Sequence, residues 1–242
     1  LIAVYLLCAL LIVGITVAVT LHRANPPRRG VGWNDAAFGA LVAAFPNTGF
    51  MGVPLLVALL GAQAAGPTIV TIVIDMLVTS SLCIALSRLD GADEHGAARA
   101  AKLALRGVVV NPLPWSIALG ALASALQFSL PGPVDKTVAM LADAASPVAL
   151  FTIGAVLARS QMNQHERVLA RDYVPIALAK LLAHPLLVWL AGQAAIALGA
   201  PLSPFALTVL VLLAALPSAS NVSLLAERFG AHNGRIARII LV

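Results

Sequence analysis

The sequence predicts an all-α integral membrane protein, and three observations predict it. Hydrophobic residues make up 60% of the 242 residues and charged residues only 10%, against roughly 25% charged in a soluble domain. The apolar residues, which set a mean hydropathy of +0.96, fall in runs of about 20, the length that crosses a bilayer as a helix at ~1.5 Å per residue. Lys and Arg are concentrated in every second loop between those runs. The net charge of +5 and the pI near 9.9 therefore express orientation in a membrane rather than a nucleic-acid partner.

The first span, Leu1 to Leu21, is uncharged. It has no basic segment before it and no small-residue cleavage site leading into a soluble domain, so it reads as a span and not as a signal peptide. It ends in the basic loop from His22 to Arg29, where Pro26 and Pro27 stop the helix. Because the chain opens at Leu1 inside an apolar run and stops at Val242 inside another, it reads as a fragment.

The second span lies in the uncharged run from Ala36 to Leu60, and its centre is Phe45-Pro46-Asn47-Thr48-Gly49-Phe50-Met51-Gly52-Val53-Pro54. Pro46 and Pro54 each remove a backbone donor, and Gly49, Gly52 and the Asn47-Thr48 pair weaken the helix further. A break at membrane depth is expected, and such backbone persists only where protein or a water-filled cavity satisfies it. The stretch therefore marks a candidate binding site.

A neutral turn at Gly61-Ala62-Gln63 leads to a third span, Gly66 to Ser87, with Asp75 near its middle. The loop from Arg88 to Arg106 mixes acids and bases, and part of it suits a short amphipathic helix at the membrane surface. The fourth span opens on Asn111-Pro112, which suits a cap, and runs to about Leu130; the fifth covers Lys136 to Ala158 with Asp143 and Pro147 inside it. The sixth, Tyr173 to about Leu198, holds Lys180, His184 and Pro185. The seventh runs from Ser203 to Ala226, and an eighth has begun by Ile236.

Loop charges test these assignments. The loops after spans one, three, five and seven hold Arg23, Arg28 and Arg29; Arg88, Arg99, Lys102 and Arg106; Arg159, Arg167 and Arg171; and Arg228 and Arg235, while the intervening loops hold only Lys136. That alternation is what the positive-inside rule requires, and it puts the basic loops in the cytoplasm. Cys8 and Cys83 lie far apart within apolar runs, and no Cys or His cluster has metal-ligand spacing, so both read as packed or lipid-facing thiols and no metal or other cofactor is expected.

The broken stretch has a second copy. Ala44-Phe45-Pro46-Asn47-Thr48-Gly49-Phe50 aligns with Ala215-Leu216-Pro217-Ser218-Ala219-Ser220-Asn221, and Gly61-Ala62-Gln63 aligns with Gly230-Ala231-His232 across a two-residue gap. The two copies sit in spans two and seven. An odd difference in span number makes them run in opposite directions, the arrangement of inverted-repeat secondary transporters.

Five motifs in order carry a family resemblance: FPNTGFMGVPLL, NPLPWSIALG, PVALFTIGAVLA, KLLAHPLLVWL and ALPSASNVSLLAERFG. Together they resemble the auxin efflux carrier family, whose bacterial branch includes carriers of malonate and malate. The resemblance covers essentially the whole chain. It implies a ten-helix (5+5) inverted-repeat transporter fold with two proline-broken crossover helices, of which this chain supplies about helices 3–10. Residues 1–90 would then hold TM3–TM5 of a moving transport domain. Residues 91–158 would hold a cytoplasmic loop with TM6–TM7 of the scaffold, and residues 159–242 would hold TM8, TM9 and the start of TM10. The resemblance also implies a multi-pass location in the bacterial inner (plasma) membrane and, from the plant members, a homodimer.

At a broken helix, freed amides and half-helix dipole ends suit an anion, and freed carbonyls suit a cation or proton donor. Asn47 and Thr48 beside Pro46, with Ser218, Ser220 and Asn221 beside Pro217, are the expected substrate-binding residues because they offer neutral donors without a buried fixed charge. Pro46, Gly49, Gly52, Pro54 and Pro217 are the expected crossover and helix-break residues; the competing reading is that the Pro, Gly and Ser residues serve only kinking and close packing.

Asp75 and Lys180 are the costly groups, since a charge near the bilayer centre costs at least ~2.5 kcal/mol. Asp75 suits a proton or sodium coupling site or one half of an ion pair. Lys180 suits a substrate carboxylate, an acid, or snorkelling to the interface. Asp143 reads as interfacial, and His184 as a packed, hydrogen-bonded residue at a kink. The expected function is secondary active transport of a small organic anion, a malonate-like dicarboxylate by the resemblance, through alternating access across the bilayer. A receptor, a membrane-embedded enzyme and a passive anion channel are the alternatives. No paired acids or Ser/His set supports an enzyme.

Overall fold

The computed structural model of the protein describes residues 1–23, 32–89, 112–162 and 169–242. The mixed-charge loop after Arg88 and the Asn111 start of the fourth span fall largely outside them. Among the described residues the chain is all helix apart from turns and one isolated backbone bridge. The helices are α1 (Ile2–Arg23), α2 (Trp33–Ala44), α3 (Thr48–Leu60), α4 (Ala62–Leu86), α5 (Pro112–Ala125), α6 (Gly132–Met162), α7 (Ala170–Ala197), α8 (Pro204–Ala215), α9 (Asn221–Arg228) and α10 (Asn233–Leu241). Three of them, α1, α4 and α7, are long and apolar enough to cross a membrane.

The prolines end the shorter apolar helices where expected. A residue before proline is driven from the helical to the extended region. Phe45 (φ −103°, ψ 94°) accordingly closes α2 before Pro46, and Leu216 (φ −61°, ψ 151°) closes α8 before Pro217. The chain resumes as α3 and α9. Each of these is followed by a glycine in the left-handed region, Gly61 (φ +86°) after α3 and Gly230 (φ +70°) after α9, a conformation that glycine adopts without a Cβ penalty. At the start of α8, Ser203 caps by accepting from the Ala206 amide at 3.1 Å, with Pro204 in the first turn.

Helix α2 is the centre of the packing. Every residue from Ala36 to Ala44 is buried, and its Ala and Gly content lets neighbouring backbones approach closely. Helices α1, α4, α7, α9 and α10 surround it. The outer faces of α1 (Leu7, Leu11, Ile15), α3 (Leu55, Leu59) and α7 (Leu182, Leu186, Leu190) leave large apolar side chains exposed, as lipid-facing surfaces require.

One end of the bundle is closed by polar contacts around Arg235, which is only 8% exposed. Its Nε donates to the Asp172 carbonyl at 3.0 Å and its Nη1 to the Asp35 carbonyl at 3.5 Å. The His232 amide donates to Asp35 Oδ1 at 2.8 Å, and Asn34 Nδ2 to the Phe229 carbonyl at 3.1 Å. These bonds join the first turn of α2, the start of α7 and the turn between α9 and α10.

Helix α7 packs against α8 through Gly192. A Cβ built there would collide with the buried Leu207 side chain. Gly192→Ala is expected to destabilise the protein by about 1–3 kcal/mol, the usual cost of overpacking. Gly14, where a Cβ would meet nothing within 4 Å, is the control: Gly14→Ala should leave the thermal unfolding midpoint in detergent unchanged or higher.

Candidate functional site

The two breaks are bonded to each other. Asn47 N donates to the Pro217 carbonyl at 2.9 Å, and Ala219 N donates to the Phe45 carbonyl at 3.0 Å, which makes an antiparallel bridge of Pro46 with Ser218. Neither proline has an N–H to offer. The residue after Pro46 and the second residue after Pro217 donate instead, so each broken helix satisfies carbonyls on the other.

Side chains take up carbonyls that the interrupted helices leave over. Ser218 Oγ donates to the Val42 carbonyl near the end of α2 at 2.6 Å. Lys180 Nζ donates to the Ala214 carbonyl near the end of α8. Asn47 itself (φ −75°, ψ 55°) is the centre of an inverse γ-turn, with Thr48 N donating to the Pro46 carbonyl at 2.7 Å. The Asn47 carbonyl then accepts from the amides of both Met51 and Gly52, at 3.1 and 3.0 Å, as α3 begins.

Of the residues singled out in the sequence, Asn47, Thr48, Ser218 and Ser220 are buried at this crossing. Asn221, partly buried, opens α9, and its Oδ1 is closed from solvent with no hydrogen-bond partner. Gly52 packs closely: a Cβ would meet Leu213 Cδ2 at 2.8 Å and Leu216 Cδ1 at 3.1 Å. Gly49 and Pro54 lie on the exposed side of α3.

Asp75 and Lys180 are both 1% exposed. They do not form a direct ion pair. Asp75 Oδ2 accepts from the Tyr5 hydroxyl at 2.8 Å and Oδ1 from the Thr79 hydroxyl at 3.2 Å, while the Lys180 ammonium turns inward to Ala214 rather than snorkelling to the interface. Asp143 lies on an exposed face of α6. His184 is buried as expected but not hydrogen-bonded, since neither ring nitrogen has a partner. Cys8 and Cys83 are both buried free thiols.

Three wide helical turns were not foreseen. Thr48–Gly52 in α3, Asp75–Thr79 in α4 and Ala179–Ala183 in α7 each have a π-type i→i−5 bond, from Val53 to Thr48, Ser80 to Asp75 and His184 to Ala179. In the first and third, a proline follows two residues after the turn, Pro54 and Pro185. Proline cannot donate and crowds the carbonyl four residues back, and a wider turn relieves both conflicts. The second has no proline, and there Ser80 Oγ donates to the Met76 carbonyl at 2.6 Å. Tyr5 was also missed, although a lone tyrosine in an uncharged span signals a search for an acceptor.

Comparison with known proteins agrees with a transport role. A family model described as a membrane transport protein matches residues 2–242. A Rhizobium meliloti (strain 1021) protein named "Putative malonate transporter" is 29% identical over 208 residues, 86% of this chain and 62% of that protein. The "Uncharacterized transporter YfdV" of Escherichia coli (strain K12) is 27% identical over 201 residues, 82% of this chain and 60% of that protein. The chain thus spans about 60% of the length of these relatives.

The Ser218 hydroxyl bonds one break to the helix of the other, so Ser218→Ala tests the crossing's support. Leaving the Val42 carbonyl without this donor should cost about 1–3 kcal/mol. Hydrogen exchange at the Asn47 and Ala219 amides should rise with it; unchanged protection of both would show that the backbone pairing stands without this bond.

Proposed function

The chain belongs to the membrane transport protein family, the auxin efflux carrier family that its motifs resemble, and from that premise we propose that it is a secondary active transporter of a malonate-like dicarboxylate. It is a membrane transporter and not an enzyme. The observation that carries the proposal is the pairing of the two broken helices through Asn47–Pro217 and Phe45–Ala219. It brings the buried Asn47, Thr48, Ser218 and Ser220 and the partly buried Asn221 to the two adjoining breaks.

These residues are neutral. Asn47, Thr48, Ser220 and Asn221 bind a carboxylate through amide and hydroxyl donors, while the Ser218 hydroxyl, committed to the Val42 carbonyl, supports the crossing; the first turns of α3 and α9 add the positive ends of two helix dipoles. Neutral recognition suits transport because the empty carrier then recrosses the bilayer without an exposed fixed charge. Malonate as substrate is supported by the name of the Rhizobium relative.

Alternating access is supported by a repeated order of elements. The order α1, broken α2–α3, α4 is repeated as α7, broken α8–α9, α10, and each broken pair is followed by a left-handed glycine, Gly61 or Gly230. Two such units of opposite orientation exchange conformations when the membrane side is exchanged. The basic loops of the sequence are placed in the cytoplasm by the positive-inside rule.

Asn47→Ala removes the side-chain donor nearest the Pro46 break while leaving the backbone bonds intact. We expect the apparent Kd for malonate, read from substrate-dependent thermal stabilisation, to weaken roughly tenfold, or ~1.4 kcal/mol, with the amount of inserted protein unchanged. Unaltered affinity would remove Asn47 from the site. Saturable uptake with counterflow in proteoliposomes separates the carrier from a passive channel.

A further inference from the structure

The crossing does not use every polar group in the apolar interior. Tyr5 on α1, Asp75 on α4, and Lys180 and His184 on α7 form a second cluster where these helices meet α8, and each side chain is at most 1% exposed. Tyr5 and Thr79 occupy the two Asp75 oxygens, and Lys180 reaches the Ala214 carbonyl three residues before Pro217. Asp75 and Lys180 lie within electrostatic reach of one another.

His184 sits one turn after Lys180, with its ring centroid 6.2 Å from that of Tyr5. Both of its ring nitrogens are buried and unpartnered, which is costly unless a small ligand completes them. Cys8 is the other titratable group that faces the cluster from α1. Helix α8 (Pro204–Ala215) has no titratable side chain and supplies only its carbonyl. The one acid of α2, Asp35, is engaged by the His232 amide at the end of the bundle.

We infer that this cluster is the coupling-ion site of the carrier, and that the ion is a proton taken up at Asp75. A metal cation would need several free oxygen ligands, but the Asp75 oxygens already accept from two hydroxyls, the Lys180 ammonium that interacts electrostatically with Asp75 would repel it, and no group of three acids, His or Cys occurs among the described residues. A proton needs no cage. It adds to one Asp75 oxygen and converts the carboxylate to the acid, and the hydroxyl at that oxygen turns from donor to acceptor.

The consequence reaches the second break. Once Asp75 is neutral, the Lys180 ammonium has lost its nearby countercharge while it still holds the end of α8. An anion at the adjoining crossing then replaces that countercharge. Proton and dicarboxylate therefore favour each other's binding, and by linkage the effect is reciprocal. The coupling step rests on the substrate site proposed above, whereas the protonation of Asp75 does not.

Two measurements on the reconstituted protein keep these apart. Infrared difference spectra across a pH jump, without substrate, should show a protonated-carboxyl C=O band that Asp75→Asn lacks and that Tyr5→Phe, a change conserving the ring, shifts in frequency. A wild-type protein without the band, or an Asp75→Asn variant that retains it, overturns the proton site. With radiolabelled malonate in proteoliposomes, a pH gradient should drive accumulation by the wild type, and the ratio of gradient-driven accumulation to counterflow should collapse in Asp75→Asn. Accumulation driven by a sodium gradient alone, or by the pH gradient in Asp75→Asn, overturns the coupling. Absence of wild-type counterflow overturns the malonate reading instead, and the infrared result still decides the proton site.

Discussion

Two hydrogen bonds between broken helices carry the rest of this structure: Asn47 N to the Pro217 carbonyl and Ala219 N to the Phe45 carbonyl. A proline-interrupted helix inside a bilayer has backbone groups that lipid cannot satisfy, each costing several kcal/mol when unpaired. One such helix would be a defect. Two that cross at their interruptions complete one another, and the short antiparallel bridge at Pro46 and Ser218 is the smallest unit of sheet that does so. The cost of breaking two helices is thereby offset by a place where polar backbone and polar side chains are held at depth.

Around that bridge, the apolar packing and the polar contacts have separate tasks. Helix α2 is buried on every side from Ala36 to Ala44, so its small residues fix where the first break lies. Ser218 and Lys180 engage the last turns of α2 and α8. Lys180 belongs to a wide turn in α7, as Asp75 does in α4. A wide turn displaces its side chains relative to a regular helix, which gives both charged groups access to partners in an otherwise apolar interface.

Much of this was legible in the sequence. The breaks were visible because Pro46, Asn47, Gly49 and Gly52 contradict a helix inside an uncharged run, and the partner at Pro217 was visible because the stretch from Ala215 to Asn221 aligns with Ala44 to Phe50. The helix ends at Phe45 and Leu216 follow from the restriction that proline imposes on its predecessor. Three-dimensional pairing was less accessible. The Tyr5 hydroxyl finds Asp75 across 70 positions, and no local pattern reports a contact between separate spans. Lys180 left three choices open because its distance from the span's end suited snorkelling equally well. The Ala214 carbonyl, left over by the second break, holds the ammonium inward and excludes snorkelling. The wide turns were hidden for a related reason: at Pro54 and Pro185 the sequence shows the missing donor but not how the backbone accommodates it.

We propose that the paired breaks form one substrate site. A structure of the protein with bound malonate tests it most directly. Ligand density is expected beside the Pro46–Ser218 bridge, within hydrogen-bond reach of Asn47 or Thr48 from one break and of Ser220 or Asn221 from the other. Ligand density away from both breaks, with the bridge intact and unliganded, would contradict it.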